Sequence, residues 1–344
     1  MSLSAGLMDQ RGITRDLGAH VIGACFNAAG RMAAFGLGDG SVHLVPEDAR
    51  GDWVRVAAHD GAVMALAPDC GGAGVLSAGD DGVLARLSES GEAATVYATG
   101  GKWIEQLAVL AEPRGGLIAC AAGKQAFLFD ATGQKLKTLA HPSTVTGLAF
   151  DAKGKRLAAS HYNGASVWFT QSKTDNPRVL AWKGSHTGVA MHPASDAVVT
   201  AMQDNALHGW RLADGHDMRM TGYPSKPESL GFTRSGRYLA SSGADAIVLW
   251  PFFGGGPMGK PPLELAQIEG VTCTRVACHP REEVVASGYA DGSVVMAQIG
   301  TQKLVVVAPP SGQPVSALAW SPDGGKLLFG TESGLAAIVN LSGC

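Results

Sequence analysis

The chain has 344 residues, 46% hydrophobic and 17% charged, which argues against disorder and allows a large core in one domain or two. Its 27 basic and 30 acidic side chains leave a formal net charge of -3, which speaks against a dedicated nucleic-acid surface. No apolar run approaches the roughly 18 residues of a membrane span. The opening MSLSAGLMDQRG has neither a basic nor a sustained apolar region and does not read as a secretory signal. Six cysteines without framework spacing predict free thiols in the cytoplasm.

Taken in order, the chain repeats one pattern. An opening strand starts at Val21, Val63, Ile104, Val145, His186, Pro227, Cys273 and Val315, at intervals of 42, 41, 41, 41, 41, 46 and 42 residues. Eighteen residues after each anchor comes a turn position, held by Asp39, Asp81, Ala122, Asn163, Asp204, Asp245, Asp291 and Ser333. Five of these are Asp, and several precede Gly, as hairpins with positive φ require. A further strand closes each unit before the next anchor, at 53–58, 94–99, 135–140, 178–183, 217–223, 263–268 and 303–308. Period-two alternation bounded by Gly, Pro and Asp predicts strands throughout. Four antiparallel strands every 41 or so residues predict a β-propeller blade.

The clearest copy is the last, VSALAWSPDGGKLLFGTESGLAAIVNL. Its turn Ser321-Pro322-Asp323-Gly324, the period and the hairpin Asp series resemble the WD40-repeat family over nearly the whole chain, in a degenerate, bacterial-type form. The family's third-strand Trp occurs at or near its place at Trp168, Trp210 and Trp250, and its buried His, four residues before the anchor, at His59 and His141. The family's Asp-His-Ser/Thr-Trp tetrad is complete in no unit. His59, Ser77 and Asp81 can form three quarters of one, and Thr200, Asp204 and Trp210 three quarters of another.

The anchors predict an all-β propeller of eight four-stranded blades in one domain over 1–344, with seven as the alternative. After Val315 too few residues remain for a fourth strand. Residues 12–17 are therefore expected to supply the outer strand of the C-terminal blade (313–341), since an open edge invites aggregation.

No constellation reads as catalytic, and no enzyme activity is expected. Gly254 to Lys260 has P-loop spacing, but Pro261 stands where Ser or Thr must ligate magnesium, and two prolines cannot open the supporting helix. Cys273, Cys278 and His279 are near in sequence without metal-ligand spacing, so no metal and no cofactor are assigned. What remains is binding. The resemblance implies a monomeric cytoplasmic scaffold for protein partners, whose identity no rim composition names, without nucleic acid or membrane. The alternative is a propeller holding a metal or small ligand in its central channel. Family members usually dock partners on the face carrying the loops before the anchors and before the hairpin Asp. There the candidates are His20, Trp103, Glu105, Tyr162, Gln203, Lys226, Glu228, Tyr289 and Glu332, with Trp103 and Tyr162 the aromatic anchors. A second candidate surface joins Arg211, Arg219 and Tyr223 to the loop residues Phe253, Met258 and Lys260, where Met-rich apolar surface suits adaptable binding.

Overall fold

The computed structural model describes residues 6–71, 73–111 and 115–342. Strands dominate, because each repeat alternates buried β-branched or small residues with turns that Gly and Asp can make. In the first unit the strands are Val21–Phe26, Ala33–Leu37, Ser41–Val45 and Val54–Ala57, paired antiparallel in that order. In each unit the first strand is innermost and the fourth is outermost. Each innermost strand touches the next around the ring, and Val315–Trp320 touches Val21–Phe26 to close it.

The sheet count corrects the expectation of eight blades. Counted as hydrogen-bonded sheets, the ring has seven, the alternative: six of four strands and one of six. The six-stranded sheet takes up the fourth and fifth repeat units. Two strands of 14 residues, Arg156–Phe169 and Arg178–Met191, run through positions that end a strand elsewhere. Residues 157–160 of the first pair with 147–150, and residues 164–167 pair with the start of the second. The far half of the second, 186–191, then pairs with 198–202. Tyr162 pairs with Ser185, and the Gly184 amide donates to Asn163 Oδ1 at 3.1 Å, so a hairpin and the following loop are stitched together. No proline interrupts 178–191, and nothing there stops the ladder. The repeat count and the sheet count differ by that one merger.

Closure of the ring is made by the chain's start. Gly12–Asp16 pairs antiparallel with Leu335–Asn340, from Gly12↔Val339 to Asp16↔Leu335, completing a four-stranded sheet. A short helix, Leu7–Arg11, precedes it. Ile13 and Leu17 pack on the cluster that joins the last and first units, with Phe35, Leu37, Leu328 and Ile338. Arg15 reaches into the first unit, donating to the Gly51 carbonyl at 2.7 Å with its guanidinium over the Trp53 ring. Trp53 in turn stacks on Phe35 at 5.7 Å.

The core is a series of slices between neighbouring units rather than one centre. Val42, Leu44 and Val56 of the first unit, for example, pack on Val63, Val75 and Leu87 of the second. Each fully buried side chain of this kind contributes about 1.5–3 kcal/mol. One device recurs in these slices. Fifteen residues after each anchor stands a small residue: Gly36, Ala78, Ala119, Ser160, Ala201, Ser242, Gly288 and Gly330. A Cβ added at Gly36 would lie 2.7 Å from Val63 Cγ1, and one at Gly288 2.6 Å from Val315 Cβ. At Gly330 it would lie 2.6 Å from Val21 Cβ. The second strand of one unit thus leaves a notch into which the next unit's anchor valine fits.

Candidate functional site

The loops before the anchors and the hairpins before the third strands lie on one face, because they hydrogen-bond to each other around the ring. His59 donates its amide to the Gly40 carbonyl, Ile104 to Gly79, Val145 to Gly123 and Cys273 to Ala244, at 3.1, 3.1, 2.8 and 2.7 Å. These contacts hold the loops as a rigid surface.

Trp103 and Tyr162 are the large aromatics this face exposes, with 57% and 54% of their surface open. They belong to adjacent parts of the ring, since the inner strands Gln106–Leu110 and Gly147–Phe150 touch. Trp103 sits beside the loop Thr99–Lys102, where Thr99 Oγ1 donates to the Lys102 carbonyl and accepts the Lys102 amide. Tyr162 is fixed from behind, its amide donating to Ser143 Oγ at 2.9 Å. Both rings are carried on ordered backbone.

The other rim candidates divide. His20, Gln203 and Glu332 are exposed and are tied down through their backbones, to Gly38, Ser185 and Pro314. Glu105 is half-buried, with its amide on the Ala121 carbonyl. Lys226 and Glu228 form an ion pair at 3.5 Å, and Glu228 also pairs with Arg275 of the next unit at 3.1 Å. Burial pushes the Glu228 carboxyl up, but Arg275 and Lys226 outweigh this and hold it below the usual carboxylate value. Tyr289 corrects the expectation. It is fully buried, its hydroxyl donating to the Ala266 carbonyl at 2.5 Å, so it braces a loop and reaches no partner.

The second surface is corrected more widely. Tyr223 is buried, taking a hydrogen bond from Trp250 Nε1 at 2.6 Å and sharing one with Ser241 Oγ at 2.5 Å. It stands four residues before its anchor, the place His59 holds before Val63, and makes the hydroxyl link that His59 makes there to Ser77. Arg211 is engaged by Asp214, three residues on, and Arg219 lies 3.9 Å from Asp204. Lys260 donates to the carbonyls of Phe253, Gly254 and Gly256, so the P-loop-like segment presents carbonyls to its own lysine rather than amides to a phosphate. Met218 and Met220 are buried, and a Cβ at Gly256 would lie 3.1 Å from Met218 Sδ. The Gly-rich loop covers the strand it was expected to join in a binding patch. Phe253, Met258 and Arg219 of that set stay exposed, and Phe253 is flanked by Arg237 and Lys260 at 4.9 and 5.0 Å.

Of the expected partial tetrads, one forms. His59 Nε2 meets Ser77 Oγ at 2.8 Å and its Nδ1 lies 3.1 Å from Asp81. The other does not: Thr200 bonds to His186 Nδ1 at 2.7 Å, while Asp204 is exposed. Elsewhere Trp168 Nε1 donates to His141 Nε2 at 2.9 Å.

Around the merged sheet, His141 and His208 are buried and held neutral. Burial, then the nearby His161, lowers the His141 pKa from 6.5 to about 4. Burial also lowers His208 to about 4 against the raising effect of Asp217 3.8 Å away, with Trp182 stacked on its ring at 3.9 Å. These groups bind protons in the unfolded chain below pH 6.5 but in the fold only near pH 4. Their stabilisation is complete above pH 6.5 and is lost as pH falls toward 4. Each steepens the loss by about 1.4 kcal/mol per pH unit in that window. Urea titrations at pH 7 and pH 5 are expected to show a large drop in midpoint for the parent and a smaller one for His208→Gln; equal drops would refute the assignment.

Among the described residues, no group of three or more His, Cys, Asp and Glu side chains could hold a metal ion. Cys278 Sγ donates to the Gly231 carbonyl at 3.4 Å and His279 Nε2 meets Gly324 O at 3.2 Å, so the residues near Cys273 have separate partners. Burial pushes the Cys273 and Cys278 thiols up to about 12, away from the thiolate that a metal or nucleophile needs. No helix among the described residues is long and apolar enough to cross a membrane.

Comparison with known proteins agrees with this architecture. The family described as WD domain, G-beta repeat matches residues 133–168, which span the outer strand of the third unit and most of the fourth. No curated protein matches the chain. Among solved structures, the chain is similar to the crystal structure of the computationally designed Ika8 protein. The likeness has a TM-score of 0.75 at 20% identity and covers 95% of this chain and 98% of that one, which speaks to fold alone.

Proposed function

We propose that this β-propeller, of which residues 133–168 match the WD domain, G-beta repeat family, is a non-catalytic scaffold for protein partners, which dock on the face carrying Trp103 and Tyr162. The observation that carries this reading is the exposure of both rings on backbone fixed by hydrogen bonds. A rigid exposed aromatic loses little conformational freedom on binding, and such residues dominate protein interfaces. Lys124 and Thr144, both exposed, lie on the loops between them and form a polar surround. Further round the ring, Lys226 and Arg275 both pair with Glu228, so these charged groups already have partners within the chain. Trp103 and Tyr162 are therefore the energetic centre and the charged rim is secondary.

The test compares proteins retained from the native lysate by the parent and by the double variant Trp103→Ala, Tyr162→Ala. Both side chains are exposed, so the variant is expected to melt within about 2 °C of the parent. The partner is expected on the parent and absent from the variant. A partner retained equally by both would refute this docking face.

A further inference from the structure

Away from that face, a cavity of about 430 Å³ opens at the seam where the ring closes. Three parts of the chain line it: Gln10 to Ile13 at the closing strand, Lys326, Ile338 and Asn340 of the last unit, and the first unit between Phe26 and Arg50. Its wall is apolar where it is deep, with Phe26, Ala33, Ala49 and Ile338 all buried. Its mouth is cationic. Arg11, Arg31, Arg50 and Lys326 line it against two carboxylates, Glu47 and Asp48, in a chain whose net charge is -3. Asp48 accepts the Arg50 amide at 3.1 Å, and Arg11 donates to the Ser342 carbonyl at 3.1 Å. The side chains of Arg31, Arg50 and Lys326 make no hydrogen bond or ion pair among the described residues.

We infer that this seam cavity is a binding site for a carboxylate carried on an apolar body. The volume lies within the range of ligand sites, which combine an apolar wall with a few convergent polar groups. Arginine forks match a carboxylate in two parallel hydrogen bonds, and a local cationic excess concentrates anions at the mouth. The apolar body fills the space over Phe26 and Ile338. The same chemistry can come from a free amphiphilic acid or from the carboxy-terminus of a peptide ending in an apolar residue. Because the closing strand forms one wall, an occupant that binds only the closed ring stabilises closure.

The probes are octanoate, its neutral counterpart octan-1-ol, and an acetylated tripeptide ending in Phe as the free acid or the amide. Octanoate is expected to bind with Kd on the order of 1 mM, as its size allows. At about ten times Kd it raises the melting midpoint by about 2 °C. Octan-1-ol and the peptide amide have smaller effects at the same concentration. Arg31→Ala with Arg50→Ala weakens binding at least about tenfold, since both forks are lost. Binding of the peptide acid but not octanoate assigns the site to a chain terminus, and binding of octanoate but not the peptide assigns it to a free acid. Octanoate and octan-1-ol acting alike, neither acid binding, or the double variant binding like the parent would each overturn the inference. If the variant does not fold, the acid-against-neutral comparison on the parent decides.

Discussion

Removal of residues 1–19 is expected to lower the melting midpoint by roughly 4–8 °C and to make the protein aggregate on concentration. The deletion removes the ladder from Gly12↔Val339 to Asp16↔Leu335, the packing of Ile13 and Leu17, and the contact of Arg15 with Gly51 and Trp53. Backbone hydrogen bonds contribute about 1 kcal/mol each net and the half-buried apolar side chains about as much. The ordering of the segment offsets part of this, leaving about 3–6 kcal/mol. What is exposed matters as much as what is lost. Leu335–Asn340 reads LAAIVN, an uncharged β-rich edge with no proline, the kind of strand that pairs with another copy. Differential scanning calorimetry and light scattering on the truncated chain test both halves. A truncated protein that melts like the full chain and stays monodisperse would show that this strand does not hold the ring shut.

The second large effect has an unusual sign. Glycine inside a strand normally costs about 0.5–1 kcal/mol relative to alanine, so Gly→Ala in a strand should stabilise. At Gly330 it is expected to destabilise by about 1–3 kcal/mol, because the new methyl meets Val21 across the seam. Val21 is fully buried and stiff at χ1, so it cannot turn away. Val21→Ala alone destabilises by opening a cavity. The pair together is expected to recover at least about 1 kcal/mol relative to the sum of the single changes, since the added methyl occupies the space vacated. Urea denaturation of the four proteins in the cycle measures this coupling. Additive effects would mean that the two residues do not share the notch.

Much of the ring was legible in the sequence because its signal is periodic: the anchors and the Gly- or Asp-bearing hairpins recur wherever the backbone needs them. The small residues fifteen positions after each anchor were equally visible and equally periodic. Their meaning lies in a neighbour about forty residues away, so inspection of a single unit does not reveal it. The merger of the fourth and fifth units was not legible. It depends on Tyr162 pairing with Ser185 and on Gly184 meeting Asn163, a matter of loop geometry rather than of pattern. The two tyrosines that the fold buries, Tyr289 and Tyr223, were misplaced for a related reason. Tyr289 sits sixteen residues after its anchor, as Leu37, Met202 and Thr331 do in theirs, and all four are buried. Tyr223 likewise occupies the position of His59 and His141. Their places in the repeat outweigh their aromatic character. Trp103 and Tyr162 lie at loop positions whose other occupants include small or polar residues, and they remain open.

The most direct test of the scaffold reading is calorimetric titration of the captured partner into the parent and into the Trp103→Ala, Tyr162→Ala variant at one salt concentration. Two central aromatic contacts at about 1–2 kcal/mol each predict a loss of affinity on the order of 100-fold, with the melting midpoint unchanged. Equal affinity for the two proteins would contradict the account.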